Sequence, residues 1–187
     1  MAARAANAVS IHRKLLCLFS SYYAAALNGN FLEANKDRFE VDLSGEHLRA
    51  FAVWIYTGSL GRMSDDYDGM CCLTSLYLFA DQVNILALRR RTISLFAKSF
   101  PTYDLVKIIL MNVTPGSPLH RHVLDRYILH WTPSEDEDDP FLLDSKRDPD
   151  HILANFMYQV MKGLAVRQPK ARSCGQRKGL KPPAWLD

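Results

Sequence analysis

Apolar residues recur along this chain mostly at helical spacing. His12 to Asn28 reads as two short helices, with Leu15, Leu16, Leu18 and Phe19 turned inward, a break at Ser20-Ser21 and an end at Asn28-Gly29. Ser44 offers an N-cap, Leu48, Phe51, Ala52 and Ile55 follow at helical spacing, and Gly58 supplies a stop. Leu73, Leu76, Tyr77 and Ala80 predict a long core helix, interrupted at Asn84 and resumed from Leu88 to Phe100. Beyond Pro101, Leu105, Ile108 and Ile109 mark a short helix. Ser117-Pro118 caps the next, which runs through Leu124, Tyr127, Ile128 and Trp131. Asp148-Pro149 repeats that device before a last helix carrying Leu153, Phe156, Met157, Val160 and Leu164.

Two segments alternate as strands do. Val9-Ser10-Ile11 is short and strand-like, and Arg38 to Leu43 places Phe39, Val41 and Leu43 on one face. The expected class is therefore α+β, predominantly helical. Periodicity fails in three places, Ser64 to Asp68 and residues 133–149 among them. The second of these holds the acidic run Glu135 to Asp139 between prolines and reads as a loop. Residues 167–187 hold six basic side chains (Arg167, Lys170, Arg172, Arg177, Lys178 and Lys181) with little to bury, and read as a disordered tail.

Composition narrows the class. The 187 residues are 48% hydrophobic and 23% charged, with a net charge of +3, which fits a globular chain with one core and names no polyanionic partner. Arg89-Arg90-Arg91 fans around the helix and reads as solvated surface. Four cysteines, two of them adjacent at Cys71-Cys72, make no disulfide framework and suggest a reducing compartment. There is no leader-like start and no run of the ~20 apolar residues that span a bilayer, so the expected location is cytoplasm or nucleus.

Chemistry is sparse. No glycine-rich phosphate loop, nucleophile elbow or helical His-Glu metal motif occurs. Cys71-Cys72 lacks a second ligand pair at zinc spacing, and His120 and His122, two apart on a helix, face different ways and read as surface residues. No catalytic residue, metal or cofactor is expected, and the chain does not read as an enzyme.

A family resemblance arises from four ordered signposts. Val9-Ser10-Ile11-His12-Arg13-Lys14-Leu15-Leu16 is similar to the strand-to-helix entry of the BTB/POZ domain, with His12 in the apolar-x-His-basic step. Ser20-Ser21-Tyr22-Tyr23 resembles its Ser-x-aromatic-aromatic step, carried by Ser20 and Tyr23. Ile55-Tyr56-Thr57-Gly58 resembles its helix ending, and Leu78-x-Ala80-Asp81 through Ile85 and Leu88 its next helix and turn. The chain looks most like the short BTB proteins of fungi. The resemblance implies a BTB/POZ fold over residues 9–100, a small sheet flanked by helices, with a helical extension over 101–166 and a frayed segment at 1–8. It also implies a strand upstream of Val9 that the preceding residues are too few to hold, as in a truncated start or an altered dimer edge. That weakens the expectation of a homodimer.

The implied function is protein–protein interaction. Some family members hold a cullin scaffold for a ubiquitin ligase through an apolar-x-Glu motif before the strand that here begins at Arg38. Phe31-Leu32-Glu33 matches that motif, with Phe31 as apolar anchor and Glu33 as its charged partner. Local packing of Phe31 with a solvated Glu33 is the competing reading. A chromatin-associated factor using the basic tail is the alternative function. Protein partners are expected, while nucleic acid and membrane are not.

Overall fold

The computed structural model describes residues 8–29, 34, 36, 38, 40–61, 63, 66–97, 100–131 and 151–167. Among them are eight helices: α1 Arg13–Phe19, α2 Ser21–Asn28, α3 Gly45–Thr57, α4 Tyr67–Gln82, α5 Leu86–Phe96, α6 Tyr103–Asn112, α7 Pro118–His130 and α8 Ile152–Arg167. Their starts follow local chemistry. Ser20, Ser44, Asp66 and Ser117 each accept a hydrogen bond from a backbone N–H three residues on, satisfying a donor that the first turn leaves open. Pro118 sits at the first position of α7, where no donor is lost. Gly58 ends α3 at φ 69°, and its N–H reaches Trp54 O at 2.7 Å.

The turn between α4 and α5 is a Schellman motif built on asparagine. Asn84 takes the left-handed position at φ 52°. The Ile85 N–H returns to Ala80 O at 2.7 Å and the Asn84 N–H to Asp81 O at 3.3 Å. Ala80 and Ile85, both wholly buried, supply the apolar contact that accompanies such a turn.

Helix α4 occupies the middle, touching α3, α5 and α6, while α1 packs on α2 and α3, and α8 on α6 and α7. One buried cluster runs from Tyr23 to Val160 and crosses Pro101 without a gap. The Tyr127 hydroxyl donates to Pro101 O at 2.7 Å, and its ring meets Phe156 edge-on at 5.1 Å. Gly163 lets α8 approach α7 closely. A Cβ there would lie 2.4 Å from Ile128 Cδ1 and 2.8 Å from Ile128 Cγ1.

The expected sheet is not found: the described residues form helices and contain no strand, which overturns the α+β class and the BTB/POZ sheet. A strand needs a hydrogen-bonded neighbour. Val9-Ser10-Ile11 has no regular secondary structure. Around Arg38 to Leu43 the alternation survives in burial, with Val41 and Leu43 half-buried between exposed Glu40 and Asp42, yet no partner strand meets it. Phe39, at the centre of that pattern, lies outside the described residues, as do the acidic run and the tail after Arg167.

Leu18 also departs from expectation, at 75% exposed. In a seven-residue helix Leu15, Leu16 and Phe19 fill the inward arc, and Leu18 falls roughly 100° to one side of its centre. Arg89 of the basic triplet is not simply solvated, since it pairs with Asp81 across the α4–α5 turn.

Phe51 is 2% exposed, stacked on Trp54 and edge-on to Phe79 at 5.0 Å, where α3 meets α4. Phe51→Ala is expected to lower unfolding free energy by about 3–5 kcal/mol, a large fraction of a domain's whole stability. Urea denaturation measures it. An unchanged midpoint would remove Phe51 from the core.

Candidate interaction surface

The signposts read from the sequence meet in two places. At the first, the His12 backbone N–H donates to the Tyr56 hydroxyl at 3.0 Å, and His12 Nδ1 lies 2.7 Å from the same oxygen. The rings stand edge-on, with centroids 5.7 Å apart. Forty-four residues separate the pair in the chain, and their contact pins the entry of α1 to the end of α3. Beside it, Thr57 Oγ1 donates to Val53 O at 2.8 Å and accepts from the Ser59 N–H at 3.1 Å, closing the helix end at Gly58.

At the second, Ser20 is wholly buried between α1 and α2. Its hydroxyl accepts from the Tyr23 N–H at 3.0 Å and donates to Val83 O at 2.5 Å. Asn84 Nδ2 donates to Ser21 Oγ at 2.7 Å. Burial pushes the Tyr23 hydroxyl pKa up to about 12, with neighbouring Tyr22 adding to the rise. Ala80 is buried under the same turn, and Asp81 faces out to pair with Arg89. These residues are structural ties. Phe31, Leu32 and Glu33 lie outside the described residues, so no geometry bears on them.

What the ties hold up is an apolar face. Helix α1 carries five consecutive apolar residues, Leu15 to Phe19, and none of its seven residues is fully buried. Phe19 leans on Trp54 at 5.3 Å and Cys17 Sγ lies 3.8 Å from Tyr23 O, so the helix is seated on α2 and α3 while its outer side stays open. Tyr22, Val53 and Tyr56 on those two neighbours are each about half exposed. Arg13, itself exposed, donates from its guanidinium to Leu27 O at the end of α2. Exposed apolar side chains gathered on neighbouring helices in this way are a feature of surfaces that contact other macromolecules. The signal for it lay in the shortness of α1: seven residues cannot turn five adjacent apolar side chains to one side.

Other features are weaker as sites. A cleft of about 470 Å³ lies between the start of α3, the second half of α4 and the end of α6, lined among others by Asp42, His47, Gln82 and Asn112. Cys17, Cys71 and Cys72 are free thiols, and burial, helped by Glu46, pushes Cys72 up to about 11, far from a reactive thiolate. No group of three metal-ligating side chains occurs among the described residues, and no described helix is long and apolar enough to cross a membrane. No protein-family profile, curated protein or solved structure matches this chain.

His120 and His122 are not the surface residues expected of them. His120 is 9% exposed and His122 half-buried, because α7 is covered by α5 and α6 as well as by α8. His120 Nδ1 and His122 Nε2 are buried without a hydrogen-bond partner. Burial lowers both pKa values, and Arg126 adds to the lowering at His122. Folding thus favours the neutral rings, while the unfolded chain takes up protons below the ordinary value near 6.5. Stability is full above that value and falls as pH drops beneath it. Between about pH 7.5 and 5 the melting temperature is expected to fall, at ~2–4 °C for each kcal/mol lost. The His120→Gln/His122→Gln variant should show a shallower fall, and an equal slope would rule these rings out as its source.

Proposed function

We propose that this chain is a non-catalytic protein-interaction module of the cytoplasm or nucleus. In its finer form it is an adaptor that holds a cullin-type scaffold through Phe31 and Glu33. The observation that carries the module reading is the open side of α1, with Leu18 exposed on it and Tyr22, Val53 and Tyr56 half-exposed on the two helices that seat it. A surface of this composition suits apolar anchoring inside a polar rim, which is how protein interfaces concentrate their affinity. The BTB/POZ resemblance supports the reading only through its helical signposts, His12 with Tyr56 and Ser20 with the turn after Ala80-Asp81, which meet without the family's sheet. The adaptor form rests on the Phe31-Leu32-Glu33 match alone.

Titration of a purified cullin amino-terminal domain against three proteins tests both levels. The parent is expected to bind at tens of micromolar or tighter. Phe31→Ala with Glu33→Ala is expected to weaken binding more than about tenfold, by loss of an anchoring aromatic, with an unchanged melting temperature. Leu18→Glu, at a position 75% exposed, should likewise keep the fold and weaken binding. No binding by the parent, or equal binding by the double variant, ends the adaptor form. Equal binding by Leu18→Glu removes the α1 face from the contact.

A further inference from the structure

Helix α8 carries more apolar surface than its neighbours cover. Leu153, Phe156, Met157 and Val160 are buried, and α8 packs on α6 and α7. A second row, Ala154, Tyr158, Met161 and Ala165, lies roughly 110° around the helix from the buried row and is exposed throughout. Tyr158 is 62% and Met161 52% exposed. The remaining side carries Asn155, Gln159 and Lys162, with exposed Val166 in the last turn. A surface helix needs an apolar stripe of only ~100° to face its own core, and here the stripe is about twice that width.

The row also has a register. Its members are spaced four, three and four residues apart, the alternation of a two-helix seam. Read in either direction it runs small, large, large, small. Around a two-fold axis between Gln159 and Val160, an antiparallel copy sets Ala154 against Ala165 and Tyr158 against Met161, and the reverse contacts follow by symmetry. Alanine at both ends lets the helices approach, and a thioether against an aromatic ring is a favourable pairing. No charge stands in the row, and antiparallel helices bring opposite dipole ends together.

We propose that α8 pairs antiparallel with α8 of a second copy of this chain through Ala154, Tyr158, Met161 and Ala165. The surface is separate from the α1 face and stands whether or not a cullin binds. A 16-residue helix is about 24 Å long and one stripe of it covers much less than the ~800 Å² per partner of a standard interface. The dimer is therefore weak and depends on concentration.

Sedimentation equilibrium of the full chain from about 5 to about 500 μM tests this. The weight-average mass should rise from the monomer toward twice that value. Tyr158→Glu and Met161→Lys, made separately at exposed positions, should each keep the parent's melting temperature and weaken association more than about tenfold. An equimolar mixture of the two should regain the dimer, because the antiparallel register sets Glu against Lys at one contact and keeps the Met161–Tyr158 pair at the other. A parallel pair sets like positions together and gives no such recovery. A parent that stays monomeric throughout, a dimer untouched by either substitution, or a mixture no better than its components overturns the proposal.

Discussion

One buried hydroxyl governs the arrangement. Ser20 has no exposed surface, and its single oxygen both receives the Tyr23 amide and gives its proton to the Val83 carbonyl. The first bond starts α2; the second fastens the α1–α2 hairpin to the turn that closes α4, sixty-three residues away. A buried hydroxyl stripped of partners loses the full hydration of that group, and alanine here would leave the Val83 carbonyl and the Tyr23 amide searching for water they cannot reach. The Asn84 turn gives the carbonyl its direction, and the His12–Tyr56 contact fixes the other end of α1. Between these ties α1 is seated without being covered, which is what leaves an apolar face for another molecule.

Helix positions were legible because their signals are local. The Ser20-Ser21 break, the Ser44 cap, the Gly58 stop and the Ser117-Pro118 start each act within one turn, and each is found at its place. Asp66 was hidden inside a run that read only as polar loop, though it caps α4. The strands failed for the opposite reason. Alternation over Arg38 to Leu43 describes which side chains turn inward, and at Val41 and Leu43 a segment without a ladder turns them inward as well as a sheet would. Whether a ladder forms depends on a second strand, and no pattern inside the segment carries that information.

The candidate surface was only half legible. Signpost residues were found by type and order, yet their roles are ties between distant segments, something a linear pattern cannot state. Leu18 shows the limit most clearly: it belongs to an apolar run that reads as core, and only the length of α1 and its seat on two neighbours expose it. His120 and His122 show the converse. A helix touched on several sides has no surface to give them, and the number of neighbours is not written in the helix itself.

The contact between α7 and α8 has an implication for how this sequence can change over time. Gly163 occupies the gap that Ile128 leaves, so the two positions share one volume.

A Cβ at 163 would fall 2.4 Å from Ile128 Cδ1, inside the separation that carbon atoms tolerate. A larger residue at 163 is therefore accommodated only if position 128 shrinks with it, and a smaller residue at 128 opens a void that a larger one at 163 can fill. Among descendants of this sequence, substitutions at the two positions should travel together, glycine at 163 with isoleucine at 128, and alanine at 163 with a residue at 128 that lacks the γ-carbons, since Cγ1 too would lie only 2.8 Å from a Cβ at 163. Such paired change would record the spacing of two helices in an alignment, where neither column alone would reveal it.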